Sequence, residues 1–291
     1  YIINSLKSCV DKFENKKKIL HIFNSKYFLD KKEMDNIPIG LFGDFYSHEL
    51  SFNLINKNDY KNLKNIFDKC NLKISKILLE SFVKGSLISE KNPQIDTFFH
   101  IKIDEEISKI FYIENDTVKY EQEFDFGTNI ILKDISKIIS LKSDVVQNII
   151  KANSNLNKAS NNELLEKNYF HNLQYRKIKK RLIYEIAEAR IKEICNLLCI
   201  KNINTEGSLN KVKVIFLEIY DKKHLNCFKE AYEHCFALNN KFEIIFFDKP
   251  KDEKALEMAN KIVQFGWKKE AIPVSKPRKS LISRIFQELF H

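Results

Sequence analysis

The chain has 291 residues, enough for about two domains, and its 44% apolar and 30% charged residues exclude a disordered protein. No apolar run approaches the ~20 residues of a membrane-spanning helix and the first residues do not resemble a signal peptide, so we expect a cytosolic protein with at most peripheral membrane contact. Because residue 1 is Tyr and not Met, we expect a fragment that lacks its true N-terminus.

The net charge of +10 does not indicate nucleic-acid binding. The lysines are scattered among 39 acidic residues, which is the pattern of a solvated surface and not of a concentrated basic patch. The six cysteines form no C-x-x-C pair and suit a reducing compartment. The nearest approach to a metal set is His224, Cys227, His234 and Cys235, but its spacing matches no zinc pattern, so we predict no metal site.

The first part of the chain predicts strands that alternate with helices. In order, we predict a helix at 1–13, strands at 18–23 and 49–55, a helix from 58 to about 70 that Asn58 and Asp59 cap, a short strand at 73–78 and a helix at 79–90. A meander of three strands follows at 97–103, 107–113 and 117–124. Its first turn carries Asp104, Glu105 and Glu106.

The second part of the chain is predicted to be mainly helical. Helices are predicted at 129–139 and 141–150, a polar loop at 152–162, and the longest helix at 163–198 with an interruption near His171. A strand at 212–217, a helix at 225–236, a strand at 242–247 and a helix at 255–265 complete the globular part. This alternation indicates a mixed α/β (α+β) architecture of at least two layers.

The last dozen residues form the most distinctive pattern of the sequence. On a helix, at about 100° per residue, their apolar side chains all fall on one half of the circumference. These side chains are Leu281, Ile282, Ile285, Phe286, Leu289 and Phe290. A helix this short forms only where its apolar face is buried, and Pro273 and Pro277 make the basic stretch before it an extended tether. The pattern favours a helix that lies on an anionic membrane surface; packing on its own domain or on a partner is the alternative.

Several segments occur in an order and spacing that resemble the FtsA family of bacterial cell-division proteins. Residues 20–22, 27–30 and 38–41 read Leu-His-Ile, Tyr-Phe-Leu-Asp and Pro-Ile-Gly-Leu, similar to the family's SHS2-type subdomain. Residues 62–74 resemble the helix and strand that follow it, and residues 185–194 resemble the family's E-I-x-x-x-R-x-x-E-I helix. The tethered amphipathic end is similar to the family's membrane-targeting sequence.

The resemblance implies an actin-like ATPase fold with an SHS2-type subdomain, incomplete at the N-terminus. Residues 1–57 would be the remainder of the SHS2-type subdomain and 58–95 the return segment of the first actin-like subdomain. Residues 96–266 would form the second actin-like half, with one of its subdomains at roughly 126–205. A flexible basic linker at 267–279 and the membrane-targeting helix at 280–291 would follow.

The resemblance also implies a role and partners. Such a protein holds filaments of the tubulin-like protein FtsZ at the cytoplasmic face of the inner membrane at the division site, recruits later division proteins and self-associates into filaments. For the carboxylates of the FtsZ C-terminal peptide, the resemblance points to Arg190, at the family's arginine, and to Lys180, ten residues before it. The planar fork of arginine suits a carboxylate because it donates two parallel hydrogen bonds.

The departures from the family concern the nucleotide. The six glycines stand singly, whereas a phosphate cradle needs several close together. The resemblance aligns the family's D-I-G-G-G-T loop with a segment that ends in Ile103, Asp104, Glu105 and Glu106, and its T-G-G motif with Glu218, Ile219 and Tyr220. Three acids at a hairpin tip would repel a triphosphate. They could act as paired general acid and base groups, but a solvated turn is favoured.

We therefore predict that the chain has no cofactor, does not bind ATP as the family does, and is not an enzyme. Two other functions stay open. The first is an actin-like ATPase of a related pilus or cytoskeletal system with unusual nucleotide loops. The second is a soluble interaction module whose terminal helix docks on a partner. Nucleotide binding separates the first from the adaptor, and liposome flotation separates the second.

Overall fold

The computed structural model describes residues 17–34, 38, 40–153, 156–160, 162–170, 174–248 and 252–267. The predicted helix at 1–13, nearly all of the linker and the six apolar side chains of the terminal helix lie outside these residues. The chain divides into two compact units: residues before Lys84 together with those after Glu257, and residues from Lys84 to Glu257. The subdomain boundaries implied by the FtsA resemblance stay a prediction.

The first unit contains a three-stranded antiparallel sheet. Its strands are β1 (Lys17–Leu29), β2 (Lys32–Met34) and β3 (Tyr46–Asn56), in the order β2-β1-β3, so the strands predicted at 18–23 and 49–55 lie within β1 and β3. Asp30 and Lys31, with φ of 49° and 68°, form the tight turn between β1 and β2. Alternate residues of β1 are buried on one face, where the rings of His21 and Phe23 contact Phe82.

Helix α1 (Lys57–Lys69) follows β3 directly, and α2 (Glu80–Lys91) follows after an irregular segment. The residue before α1 is Asn56, and its side chain makes no capping hydrogen bond, so the cap predicted at Asn58 and Asp59 is wrong. The strand predicted at 73–78 is also wrong, because a strand exists only where a neighbour shares its backbone hydrogen bonds. No ladder partner for this segment lies in the described part of the chain.

The second unit contains a five-stranded sheet in the order β6-β5-β4-β7-β8. Its strands are β4 (Phe98–Ile103), β5 (Ser108–Glu114), β6 (Thr117–Phe124), β7 (Val214–Ile219) and β8 (Glu243–Phe246). Strands β4, β5 and β6 are antiparallel neighbours, which confirms the predicted meander. Strands β4, β7 and β8 are parallel. The mixed α/β class is thereby confirmed.

Five helices complete the described residues of this part of the chain. They are α3 (Thr128–Ile139), α4 (Ser143–Ala152), α5 (Lys180–Cys195), α6 (Lys222–Phe236) and α7 (Asp252–Phe265). Their bounds agree with the predicted helices within a few residues, except for α5. None of the helices in the described residues is long and apolar enough to cross a membrane.

The long helix predicted at 163–198 is wrong in its first half. Helix α5 begins only at Lys180 and continues as a π-helical turn to Ile200. The preceding segment folds back on itself: the N–H of Leu165 donates to the carbonyl of Ile178, and the N–H of Lys180 donates to that of Glu163. Backbone groups that pair across a loop are not available for the i→i−4 bonds of a helix.

The two faces of the five-stranded sheet have different surroundings because side chains alternate along each strand. Phe99, Ile101, Ile215 and Leu217 belong to the main core, which also contains residues of α3, α5 and α6. The other face carries a smaller apolar cluster that includes Phe98, Phe111 and Phe216. His100 and Glu218 follow the same alternation onto this smaller cluster.

Candidate functional site

The carboxyl ends of β4 and β7 meet at one edge of the sheet, the position at which open α/β sheets bind ligands. The hairpin turn with Asp104, Glu105 and Glu106 follows β4 directly, and Tyr220 follows β7. The N–H of Tyr220 donates to the carbonyl of Ile103 at 3.1 Å. The structure thus brings the two segments aligned with nucleotide loops to the same edge.

The acidic hairpin is fixed to the start of α3. The N–H groups of Thr128 and Asn129 donate to the carbonyl oxygens of Asp104 and Glu105, both at 2.9 Å. Gly127 lies so close that a Cβ would overlap the Asp104 carbonyl oxygen and stand 2.6 Å from that of Glu105. The first amide groups of a helix are those that bind anions, and here the hairpin occupies two of them.

The space at this edge is small. A cavity of about 20 Å³ is lined by residues that include Glu105, Asn129, Lys151, Asp221 and His224. A single water needs at least about 10–15 Å³ by this kind of measure, so the cavity holds about one water molecule. This cavity is therefore far smaller than a nucleotide.

The segment Glu218, Ile219 and Tyr220, predicted to follow a strand as the family's T-G-G motif does, requires a correction. The strand predicted at 212–217 runs from Val214 to Ile219, so Glu218 and Ile219 lie in β7 and only Tyr220 follows it. The reason is the register: Ile219 pairs with Ile103, and the ladder to β4 continues to the last residue of both strands. Glu218 consequently points to the face that carries the smaller apolar cluster.

On that face Glu218 is the centre of a buried charge network. The Nζ of Lys84 lies 3.1 and 3.0 Å from its two carboxylate oxygens, and the Nε2 of His100 lies 3.1 Å from Oε2. The side chains are 7% (Lys84), 0% (His100) and 2% (Glu218) exposed. The His100 ring stacks on Phe111 and meets Phe247 edge-on. The network is therefore closed to solvent.

The electrostatics of the network follow from burial and pairing. Burial alone raises the pKa of the Glu218 carboxyl, but the hydrogen bonds and positive charge of His100 and Lys84 outweigh it and lower the pKa to about 2. Glu218 is therefore ionised at any physiological pH. A closed, fully ionised carboxylate has no route to a substrate, so the arrangement can fix β4, β7 and α2 but cannot perform acid–base chemistry.

The sequence contains a signal for this network. His100 and Glu218 each interrupt an otherwise apolar strand, at positions that share a sheet face once the register is known. A charged side chain in the middle of a buried strand requires a partner, because an unpaired buried charge is costly.

The two residues predicted to bind the FtsZ peptide lie at different places on α5. Ten residues of helix separate Lys180 from Arg190 by about 15 Å along the axis. The Nζ of Lys180 lies 2.8 Å from Glu163 Oε1. Arg190 is bonded through Nε to Asp134 and through Nη1 to Glu193 at 2.6 Å. Both cations thus have carboxylate partners within the chain, and the structure does not bring the two together.

A pocket lies beside Lys180. It has a volume of about 290 Å³ and is lined by Ala152, Asn153, Leu156, Lys158, Ala159, Glu163 and Lys180. The side chain of Glu163 is exposed, and its hydrogen bond and charge interaction with Lys180 lower the pKa of its carboxyl. Lys180 therefore stands at a concave, polar surface together with a second lysine.

The four residues nearest to a metal set do not share one site. His224 is buried and its Nε2 is 3.0 Å from the hydroxyl oxygen of Tyr232. Burial lowers the pKa of His224 to about 4 and raises the pKa of the Cys227 and Cys235 thiols to about 12. His234 is exposed. In the part of the chain that the structure describes, no group of three or more His, Cys, Asp or Glu is placed to hold a metal ion.

Comparison of the whole sequence with known proteins bears on the family. No family model matches the chain. The cell division protein FtsA of Buchnera aphidicola subsp. Acyrthosiphon pisum (strain APS) is 23% identical over 205 residues, which cover 68% of this chain and 48% of the relative. The chain is similar to FtsA. The resemblance drawn from the order of its segments is thereby confirmed, and the chain spans about half the length of this FtsA.

Three solved structures are also similar to the chain. MreB 5 of Spiroplasma citri bound to AMPPNP gives a TM-score of 0.45 at 14% identity over 72% of this chain and 65% of its own. The PilM–PilN type IV pilus biogenesis complex gives a TM-score of 0.43 at 7% identity, over 90% of this chain and 69% of the other chain. Ta0583, an archaeal actin homolog, gives a TM-score of 0.40 at 13% identity, over 73% of this chain and 60% of its own. All three scores are below 0.5, so they do not by themselves establish a shared fold.

Proposed function

We propose that this chain is part of an FtsA-type cell-division adaptor that tethers FtsZ filaments to the cytoplasmic face of the membrane at the division site. The observation that carries the proposal is the similarity to FtsA over 68% of the chain. The actin-like fold with an SHS2-type subdomain, self-association into filaments and the recruitment of later division proteins belong to the same proposal.

The adaptor is proposed to work without nucleotide. Support comes from the edge formed by β4 and β7, where the hairpin carbonyls occupy the first amides of α3 and the cavity holds about one water. Isothermal titration of the protein with ATP and Mg²⁺ tests this directly. We expect no binding up to millimolar ATP, and a micromolar dissociation constant would contradict the proposal.

The FtsZ peptide is proposed to bind α5 through its carboxylates. A peptide carboxylate must displace Asp134 or Glu193 from Arg190, or Glu163 from Lys180. In a pull-down with an FtsZ C-terminal peptide, Arg190→Glu is expected to abolish binding. The matched control is Arg181→Glu, which reverses an α5 arginine that pairs with Glu185 on its own helix and donates through Nη1 to the carbonyl of Asn157 at 2.9 Å. Equal loss in both variants would show that general charge, and not Arg190, decides binding.

Loss of binding in Lys180→Glu but not in Arg190→Glu would place the peptide at the pocket beside Lys180. That pocket already presents Lys158 and Lys180 on one concave surface. Retained binding in both variants would refute the assignment of the FtsZ site to α5.

The membrane contact is proposed to be the terminal helix at 280–291. Six half-immersed apolar side chains give a weak anchor, at about 0.8 kcal/mol per fully buried CH₂, and many copies along a filament convert it into stable attachment. In flotation with anionic liposomes, Phe286→Glu is expected to release the protein. Gln287→Glu adds the same charge on the polar half of the helix and is expected to retain flotation. Equal flotation of Phe286→Glu and the wild type would contradict the anchor.

A further inference from the structure

Helix α7 carries an apolar strip that stays exposed to solvent beside its buried side. Met258 and Ile262 are buried, whereas Leu256 is 68% and Val263 44% exposed. Leu256, Ala259 and Val263 occupy positions i, i+3 and i+7, so they form one strip along the helix. This spacing is that of a seam on which a second helix packs, and the small Ala259 allows the two helices to approach closely.

The end of the chain can reach this strip. Helix α7 ends at Phe265, and Gly266, with φ of 74°, donates its N–H to the carbonyl of Ile262 at 2.9 Å, so the chain turns there. Residues 267–279 span at most about 45 Å when fully extended. Helix α7 itself is about 21 Å long. The tether is therefore long enough to bring the terminal helix at 280–291 to any part of the strip.

The charges favour one direction of docking. Glu253 and Glu257 are exposed in the first half of α7, and neither carboxylate has an ion pair among the described residues. The tether ends in Arg278 and Lys279, directly before the terminal helix. A terminal helix parallel to α7 brings these two cations near the two acids, whereas an antiparallel one brings them towards Lys261. Since exposed ion pairs are weak, the charges set the direction and the apolar contact supplies the affinity.

We propose that, when no membrane is present, residues 280–291 form a helix that lies parallel to α7 and covers Leu256, Ala259 and Val263. The six apolar side chains of the terminal helix are the same ones that contact lipid in the proposed function, so docking and membrane binding exclude each other. The docked helix is a latch that lowers membrane affinity, because only the undocked fraction of the protein can bind lipid. This inference rests on the proposed membrane anchor and adds a regulation of it.

The test is hydrogen exchange of the full chain, without vesicles, read by mass spectrometry. A free helix of twelve residues is marginal in water, so its amides exchange like those of an unstructured peptide. We expect the amides of 281–290 to exchange at least about tenfold more slowly in the chain than in a synthetic peptide of residues 268–291. Leu256→Gln combined with Val263→Gln is expected to restore the exchange rate of the peptide.

The same double variant is expected to bind anionic liposomes at least about threefold more tightly than the wild type, because the competing latch is lost. The matched control is Phe265→Gln. Phe265 is an apolar residue of α7 that is 70% exposed, but it lies about 160° round the helix from Val263. Phe265→Gln is expected to leave exchange and liposome binding unchanged. All three substituted positions are exposed, so we expect both variants to keep the unfolding midpoint of the wild type.

Equal exchange in the wild-type chain and the free peptide would overturn the latch, and so would protection that persists in the double variant. Neither measurement uses lipid, so the latch and the anchor can fail separately. Flotation without protection would count against the latch alone. Protection without flotation of either the wild type or the double variant would count against the anchor alone.

Discussion

Replacement of Lys84 by methionine tests the buried network directly. The substitution keeps most of the length of the side chain and removes the charge that lies 3.0 and 3.1 Å from the Glu218 carboxylate oxygens. Glu218 then keeps a buried negative charge with His100 as its remaining partner in the network. We expect a large loss of stability, because the removal of one partner leaves the other desolvated and uncompensated.

The magnitude follows from the pKa of Glu218. His100 and Lys84 together bring it from 4.5 to about 2 against the opposing effect of burial. At 1.36 kcal/mol per pKa unit, the network stabilises the ionised form in the folded state by about 3 kcal/mol net. Broken buried ion pairs cost about 3–5 kcal/mol, so Lys84→Met should lower the free energy of unfolding by about 3 kcal/mol.

The assay is urea unfolding at pH 7, with Lys109→Met as the matched control. Lys109 pairs with Glu123 on the same sheet, but the two side chains are 26% and 48% exposed, so its loss should cost about 0–1 kcal/mol. A loss in Lys84→Met within 1 kcal/mol of that in Lys109→Met would refute the reasoning. Since the folded pKa of Glu218 lies below the unfolded one, the stabilisation is complete above pH 4.5 and is lost as the pH falls towards about 2.

Three further substitutions test other parts of the structure. Gly127→Ala places a Cβ against the carbonyls of the acidic hairpin and should cost about 2 kcal/mol or more in urea unfolding, whereas Gly207→Ala, with open space around it, should cost little. Burial lowers the pKa of His224 to about 4, so the free energy of unfolding should fall by about 3 kcal/mol as the pH drops from 6.5 to 4. His224→Gln should flatten this pH dependence, and an unchanged dependence would show that His224 is not its source. Asn71, two residues after the last residue of α1, has φ of 56°. Asn71→Ala should destabilise the protein by about 1 kcal/mol and lower its melting temperature, whereas Asn71→Gly should raise the melting temperature. The opposite order would contradict the strain argument.

The meander and most helices could be predicted because their signals are local. The first two strands at 97–124 read as apolar runs, and acidic or Asn-Asp turns separate the three strands. The segment at 163–179 has apolar residues at helical spacing, yet its backbone bonds run from Leu165 to Ile178 and from Lys180 to Glu163. Periodicity does not distinguish a helix from a loop that also buries apolar residues, such as Phe170, at similar spacing.

The charge network could not be located from local patterns. Lys84 and Glu218 are 134 residues apart in sequence, and only the parallel register of β4 and β7 brings His100 to the same carboxylate. Likewise, helical spacing placed Lys180 and Arg190 on one helix, but the acids that pair with them come from other segments. Glu163 precedes α5 and Asp134 lies in α3. Long-range ion pairs of this kind depend on the tertiary fold.

At the edge formed by β4 and β7, the acidic hairpin and the start of α3 form a structural junction. Glycines in a phosphate loop let backbone amides approach an anion. At this edge Gly127 permits a close approach too, but what approaches is the hairpin carbonyl of Asp104, which accepts a hydrogen bond from the first residue of α3. An oxygen of the chain thus accepts the hydrogen bond that the first amide of α3 would otherwise offer to an anion. Restoring glycines at 104–106 alone would leave those amides bonded, so we expect no ATP binding by such a variant in the titration described above.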